Sequence, residues 1–321
     1  MSSTIWAMLL TADDVERFEG FRPRLEAIAY RMLGSASEAE DAAQETFLRW
    51  QAAEVGLIAV PEAWLTKVVT NLCLNQLGSA RARREMPMGE WLPEPLFAGD
   101  PMLGPSETAE QRESVSFAVM VLLERLAPNE RAVYVLREAF DYSHREIAGI
   151  LDISESASQQ LYHRAKKHVT DGRVRAEIEE EAARRVVEEF LAAATSGRTE
   201  PLVKLLTSDV TAIGDGGGKI PVRARAVQGA VEVAKFMRGL FTPGAAKRAL
   251  TGGSVGLFVS EVNGAPGVVA VVGGQVVGVM CLEVTGEGIA TFRNQVDPAK
   301  LERASVQWAA SDHGEPLFMA L

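Results

Sequence analysis

The sequence predicts a multidomain chain: two all-α domains, the second built around a helix-turn-helix, followed by an α+β domain. Three observations carry that class. Apolar residues recur at three- and four-residue spacing from Asp13 to Arg84, and again from Glu107 to about Val169, the period of amphipathic helices. Between these zones, "EMPMGEWLPEPLFAGDPMLGPSE" is too rich in Pro and Gly for a helix or a long strand and reads as a linker. Towards the C-terminus, "GGSVGLFVSEVNGAPGVVAVVGGQVVGVMCLEVTGEGIATFRNQV" alternates β-branched runs with Asn-Gly, Gly-Gly and Gly-Glu-Gly breaks. That pattern predicts three or four antiparallel strands joined by tight turns. The predicted boundaries are 1–86 for the first domain, 87–108 for the linker, 109–172 for the second domain, 173–305 for the third and 306–321 for a tail.

In the first zone "VERFEGFRPRLEAIAYRML", "SEAEDAAQETFLRWQAA" and "PEAWLTKVVTNLCLNQLGSARARR" are three helices. Gly34 marks a stop, Ser37 and Pro61 mark starts. In the second zone Ser143 with Glu146 three residues on forms a capping box. The helix it opens runs through Ile147 and Leu151, turns at Asp152-Ile153 and restarts at Ser154 as a second N-cap. Two short helices joined by a tight turn, the second ending in "HRAKKH", fit a helix-turn-helix, although the turn lacks the usual glycine. An ordinary helical hairpin is the plainer alternative. The third zone opens with "AEIEEEAARRVVEEFLAAATSG", a helix ending at Gly197, then a short helix in "TEPLVKLLTSD", and then the strands. Helices first and a curved sheet afterwards make this zone α+β.

Composition excludes several function classes. Among the 321 residues, 47% hydrophobic and 24% charged, no run approaches eighteen apolar residues, so no membrane span is expected. "IWAMLL" near the start is short and has no basic stretch before it, unlike a signal peptide. Cys73 and Cys281 lie far apart and outside any CxxC or Cys/His cluster, so no disulfide, metal site or cofactor is expected, and a cytoplasmic location follows. The net charge of −10 is the informative figure. A free-standing DNA-binding protein shows a basic footprint, because phosphate contacts supply most of its non-specific affinity. This chain either avoids nucleic acid or binds it within a complex that supplies the charge.

Two motifs then give the chain a family. "SASEAEDAAQETFLRW", with the pattern A-E-D-x-x-Q-E-x-F, is followed by "PEAWLTKVVTNLCLNQL"; "LERLAPNERAVYVLREAFDYSHREIAGIL" is followed by "SESASQQLYHRAK". In this order they resemble the extracytoplasmic-function (ECF) sigma factors of bacteria. A narrower likeness covers the rest. Trp91-Leu-Pro-Glu-Pro95 (WLPEP) stands in the linker, Asp215-Gly-Gly-Gly-Lys219 (DGGGK) in the third zone, and Asp297-Pro-Ala-Lys-Leu301 near the end, where the subgroup motif is NPDKL. These resemble the SigJ-like subgroup, which carries a SnoaL-like domain fused at the C-terminus. The resemblance implies two all-α sigma domains plus an α+β conical barrel, and an alternative sigma factor with RNA polymerase core and promoter DNA as partners. Polymerase would bring such a protein to DNA, which accounts for the acidic balance.

The resemblance also assigns residues. Asp41, Gln44, Glu45 and Phe47 are expected to dock on core polymerase, with Trp50 as a neighbouring aromatic anchor; a solvated helix face is the alternative. Trp64, Asn71 and Asn75, with the loop Glu54–Val60 before them, occupy the place that reads the −10 element, and Arg81, Arg83 and Arg84 suit phosphates. Core packing is the alternative for Trp64. In the helix-turn-helix, Ser156, Ser158, Gln159 and Gln160 are placed to read −35 base edges, and Arg164, Lys166, Lys167 and His168 to meet phosphates.

The third domain has little to offer catalysis. Beyond Gly197 there is one histidine, His313, and no tyrosine, and Asp209 and Asp215 have no evident partner. No enzyme is expected. The alternatives are a domain that senses a small-molecule ligand, or one retaining cyclase- or isomerase-type activity with Asp215 as base. The favoured expectation is a regulator built into the chain, acting through Trp91, Leu92, Pro93, Glu94 and Pro95, through Asp215, Gly216, Gly217, Gly218 and Lys219, and through Asp297, Pro298, Lys300 and Leu301. "GDGGGK" fails as a phosphate-binding loop: three residues rather than four separate Gly from Gly-Lys, Ile220 follows the lysine, and strand-like "VTAI" and "IPVRA" flank it. Its glycines suit a tight connection that another surface approaches closely, with Asp215 and Lys219 as charged handles.

Overall fold

The structure is a computed structural model that describes residues 11–83, 91–172, 178–223, 225–242 and 253–320. Its contacts divide the chain into two compact units. One comprises residues 1–84, 100–114 and 122–171; the other comprises 85–99, 115–121 and 172–321. The stretch expected as a linker is thus shared out: its WLPEP part packs in the C-terminal unit, and residues 100–114 pack in the helical one.

The helical unit begins with α1 (Ala12–Leu33), opened by a Thr11–Asp14 capping box and closed by Gly34 in the left-handed conformation. Helix α2 (Ala36–Ala52) is capped by Ser35, whose hydroxyl accepts the Glu38 N–H. Ser37, expected as the cap, already lies in the first turn. A 3₁₀ turn at Val55–Leu57 leads to α3 (Pro61–Arg83). After α4 (Ala109–Glu113) and α5 (Phe117–Glu124), whose residues up to Val121 are counted with the C-terminal unit, come α6 (Pro128–Glu138), α7 (His144–Leu151) and α8 (Glu155–Gly172). Phe18, Ile28, Tyr30, Leu65 and Val69 are fully buried in this unit.

A charge sits among them. Arg31 is fully buried. Its Nε donates to Ser114 Oγ (2.9 Å), and its Nη atoms donate to the carbonyls of Ala27 (3.3 Å), Met102 (3.3 Å) and Leu103 (2.6 Å). Burial lowers its pKa to about 10. Five donors in a rigid fork let one guanidinium satisfy acceptors from three chain segments at once.

The C-terminal unit is built on a seven-stranded sheet in the order β2-β1-β6-β5-β4-β3-β7. The strands are β1 (Leu206–Asp215), β2 (Val227–Gln228), β3 (Val255–Val262), β4 (Ala265–Val272), β5 (Gln275–Thr285), β6 (Gly288–Gln295) and β7 (Phe318–Ala320). Strands β3 to β6 form an antiparallel meander, and β1 runs parallel to β6. One face buries Leu257, Met280, Leu282 and Phe292 against α9 (Glu180–Thr195) and α11 (Ala230–Phe241). The other buries Val269, Val279 and Cys281 against Leu92, Phe97 and the C-terminal helix α12 (Glu302–Ala309).

Three expectations are corrected here. In "TEPLVKLLTSD" only Glu200–Val203 (α10) is helical, because Leu206 and Val210 bury into the core from β1. The 306–321 tail belongs to the domain: α12 packs Trp308 under the sheet, the His313 ring stacks on it at 3.4 Å, and β7 pairs with β3. Among the described residues between Lys219 and α11, strand character is confined to Val227–Gln228, so the strand expected at IPVRA is absent from its described positions.

The buried guanidinium gives a direct test. Arg31→Leu leaves Ser114 Oγ and two loop carbonyls without their donor. Urea unfolding is expected to show a loss of at least about 1.5–3 kcal/mol, the range for a hydrogen bond to a charged group.

Candidate nucleic-acid interface and WLPEP clamp

Helix α2 presents Asp41, Gln44 and Leu48 to solvent, with Glu45 between them paired to Arg49 at 3.0 Å. Spacing of three and four residues puts these side chains on one stripe. Phe47 instead leans on Phe18, ring centroids 4.9 Å apart. Trp50 is fully buried, its Nε1–H donating to the Asp14 carbonyl at 3.1 Å. Trp50 is therefore core, not an anchor for a partner. The apolar contact on the stripe is Leu48, which the sequence reading passed over; its place one turn beyond Gln44 was the available signal.

On α3, Trp64 is half-buried and tilts against Trp50 at 5.7 Å. Asn71 is half-buried and Asn75 is exposed, while Arg81 and Arg83 lie in the last turn. Arg84 lies outside the described residues. The loop before α3 exposes Leu57 (79%) and Val60 (60%), two apolar side chains open to solvent. Helix α7 rests on the same helix. Lys67 Nζ reaches Asp152 Oδ1 at 2.5 Å and the Gly149 carbonyl at 3.2 Å, and the hydroxyls of Thr66 and Tyr142 are 3.0 Å apart.

The helix-turn-helix forms as expected. Ser143 and Glu146 make the capping box, and Ser154 Oγ accepts the Ala157 N–H at 3.1 Å. Asp152 takes the left-handed conformation (φ 53°) where glycine usually stands, a conformation that Asp tolerates better than most residues. Ser158 is a correction: it is fully buried, its Oγ 3.0 Å from His144 Nδ1, and it ties α8 to α7 instead of facing a groove. Burial, then the Arg137 charge, lowers the His144 pKa, favouring the neutral ring in this contact. Ser156, Gln159, Gln160 and His163 are exposed on the first turns. Of the basic residues, Arg164 pairs with Glu130 at 2.8 Å and Lys166 with Glu138 at 3.3 Å, while Lys167 and His168 are exposed.

Within the C-terminal unit, the WLPEP segment is held by backbone recognition. The Leu92 N–H donates to Asp215 Oδ2 at 3.0 Å. The Leu92 carbonyl accepts from Lys300 Nζ (2.7 Å) and Gln295 Nε2 (3.1 Å), and Gln295 also reaches the Pro93 carbonyl at 3.2 Å. Lys300 closes the ring on Asp215 Oδ2 at 2.6 Å and lies 5.0 Å from the Trp91 ring centroid, a cation–π contact. Further along, Asn263 brackets Leu96: its Oδ1 accepts the Leu96 N–H at 2.9 Å and its own N–H donates to the Leu96 carbonyl at 2.8 Å. Pro93, Glu94 and Pro95 are buried.

The DGGGK loop is shaped for this clamp. Gly217 has φ 59°, and a Cβ there would sit 2.2 Å from the Asp297 carboxyl. Asp297 accepts the Ala299 N–H at 3.1 Å and starts the turn that carries Lys300 and buries Leu301, so Asp does the capping work at this position; Pro298 is exposed. Lys219 is also exposed. The partner of Asp215 is Lys300, not the lysine of its own motif. Gln295 and Asn263 were missed, since single amides carry no motif; Asn263 had registered only as an Asn-Gly turn. Among the described residues, no cluster of His, Cys, Asp and Glu is placed to hold a metal, and no helix is long and apolar enough to cross a membrane.

Burial pushes the Asp215 carboxyl up, but the Lys300 charge, its hydrogen bond and the N–H groups of Leu92 and Gly217 hold its pKa below the ordinary 3.8. A depressed carboxylate stabilises fully above its unfolded value, and the contribution is lost as pH falls through the folded one. Asp215→Ala is therefore expected to cost about 3–5 kcal/mol at pH 7, as for a buried pair that loses one partner. Urea melts below about pH 4 should show that difference shrinking.

Comparison with known proteins places these features. The model for Sigma-70 region 2 matches residues 17–83, and that for Sigma-70, region 4 matches residues 116–169. The chain is 40% identical over 261 residues to the ECF RNA polymerase sigma factor SigJ of Mycobacterium tuberculosis (strain H37Rv), covering 79% of this chain and 83% of that protein. It is 31% identical over 283 residues to a probable ECF RNA polymerase sigma factor, SigI, of the same species, covering 88% and 92%. The crystal structure of M. tuberculosis SigJ aligns with a TM-score of 0.68 at 34% identity, over 89% of this chain and 97% of that one.

Proposed function

The chain belongs to the ECF RNA polymerase sigma factors, alternative sigma factors for transcription initiation, and we propose that its C-terminal unit restrains it in cis through the WLPEP clamp. Sigma factors act by binding, not by turnover. In this reading the protein works in the cytoplasm, and Asp41, Gln44, Glu45 and Leu48 form the stripe that docks on polymerase. Leu57, Val60, Asn71 and Asn75 meet the opened −10 strand, where apolar and amide side chains suit unstacked bases. Gln159 and Gln160 read −35 base edges, and Lys167 meets phosphate.

One observation carries the regulatory reading: the segment 91–97, which joins region 2 to region 4 in sequence, is held at four points by Asp215, Gln295, Lys300 and Asn263. The −10 and −35 elements lie about 25 base pairs apart, roughly 85 Å along a duplex. Within the helical unit α7 rests on α3. The two readers must separate to span a promoter, and releasing residues 91–99 adds roughly 30 Å of chain. The clamp, while closed, withholds that length. Sensing of a small molecule is a second reading, favoured by a cavity in the C-terminal unit.

Two measurements test this. In transcription assays with core polymerase, Leu48→Asp should reduce output and core affinity at least about tenfold by placing a charge in a desolvated contact, whereas Asp215→Asn and Lys300→Met should raise output severalfold. Unchanged or lower output in both clamp variants would overturn restraint. Dyes on α3 and α8 should lose energy transfer when core polymerase is added; constant transfer would show that the readers stay together.

A further inference from the structure

The sheet face that packs α9 and α11 is not completely filled by them. A cavity of about 590 Å³ remains there, within the size range of small-molecule sites. Its floor is Val268 and Ala270 of β4, Gly278 and Met280 of β5, and Asn294 of β6; Leu240 and Phe241 of α11 also line it. Small side chains at positions 270 and 278 leave the space open: a Cβ at Gly278 would meet nothing nearer than Val296 Cγ1 at 3.4 Å.

The lining has one carboxylate, Glu302, which is exposed, and no Lys, Arg, His, Tyr or Cys. A charged group taken inside would find no partner, at a high desolvation cost. An acid/base reaction would find no catalyst there either. Ser305 at the rim is already bound to the Val276 N–H at 3.1 Å. The half-buried Asn294 differs. Strand alternation turns it to the cavity side with Phe292, while Arg293 and Gln295 face the other way. Its side-chain amide has no hydrogen-bond partner among the described residues; the other amide of the lining, Gln275, is exposed, so Asn294 is the half-buried donor–acceptor group of an otherwise apolar chamber. Gln295, the next residue, grips Leu92 and Pro93 across the sheet, and the chain beyond, through Pro298 and Leu301, lines the cavity while Lys300 holds the clamp.

We infer that this cavity binds a neutral, mainly apolar small molecule with a carbonyl or hydroxyl oxygen that pairs with Asn294, and that its occupancy is linked through residues 294–301 to the WLPEP clamp. The first part stands on the cavity alone; the second rests on the restraint proposed above. The site binds without turnover, and selects against anions.

The test uses the full chain and two fluorescent probes of similar size, the neutral ketone 6-propionyl-2-(dimethylamino)naphthalene and the anion 1-anilinonaphthalene-8-sulfonate. The ketone should bind one site saturably with blue-shifted emission, and the anion at least about tenfold more weakly. Asn294→Leu should weaken the ketone about tenfold, equivalent to ~1.4 kcal/mol, and Ala270→Leu should exclude it by filling the floor. Both variants are checked for folding by urea unfolding. No saturable ketone binding, or equal binding to both variants, would overturn the site while leaving the clamp reading intact. Hydrogen exchange at the Leu92 and Leu96 amides should change on adding ketone. Binding with unchanged exchange would overturn the linkage alone.

Discussion

One carboxylate organises the C-terminal half of this protein. Asp215 accepts the backbone N–H groups of Leu92 and Gly217 and the ammonium of Lys300. It joins three sequence motifs that are inert apart: a proline-stiffened strip, a glycine loop and a short turn. Each supplies what the others lack. The prolines on either side of Glu94 restrict the strip, so less entropy is lost when it is ordered. The glycines let the backbone come within reach of Asp297. The 3₁₀ turn at Ala299–Leu301 puts the lysine where it neutralises the carboxylate and donates to the Leu92 carbonyl. A buried ion pair contributes little net stability unless further hydrogen bonds complete it. Here the Leu92 N–H lands on the carboxylate and the Leu92 carbonyl on the ammonium, so the pair serves recognition of that strip.

The helical unit solves a similar problem with the opposite charge. Arg31 has no carboxylate partner among its hydrogen bonds; a hydroxyl and three carbonyls surround it. It ties α1 to residues 102–103 and 114, binding the chain just after the clamped strip into the region 2 core. The strip is thus followed, a few residues on in sequence, by a point fixed in the helical unit.

Much of the fold was legible, because it rests on periodicity and caps. The α-helical pattern, the capping boxes at Ser143 and the Asn-Gly and Gly-Gly hairpins are local signals, and local signals survive translation into structure. What failed was decided at long range. Trp50 and Ser158 look like surface residues on a helical wheel, but one is claimed by the Asp14 carbonyl and the other by His144. The tail became α12 and β7 because Trp308 and Ala320 found burial against strands some forty to sixty residues earlier in the chain. The DGGGK lysine attracted attention by adjacency, yet the charge that matters comes from residue 300. Helix α11 lies between a glycine-rich loop and the strands, where the spacing of Val233, Ala234, Met237 and Phe241 is a weaker signal than the surrounding composition. At the candidate surfaces the motif positions were visible, but which faces are free was not.

The clamp also has a consequence for synthesis. Leu92 and Lys300 are 208 residues apart, and a ribosome adding 5–20 residues per second needs roughly 10–40 s to travel between them. For that interval the nascent chain holds a complete region 2 and then a complete region 4, with the strip between them free. Under the restraint proposed above, each molecule is therefore born with the strip unheld, and the clamp closes only when its last sixth has folded. A chain cut short by a stop codon or a protease before Lys300 never closes the Asp215–Lys300 pair.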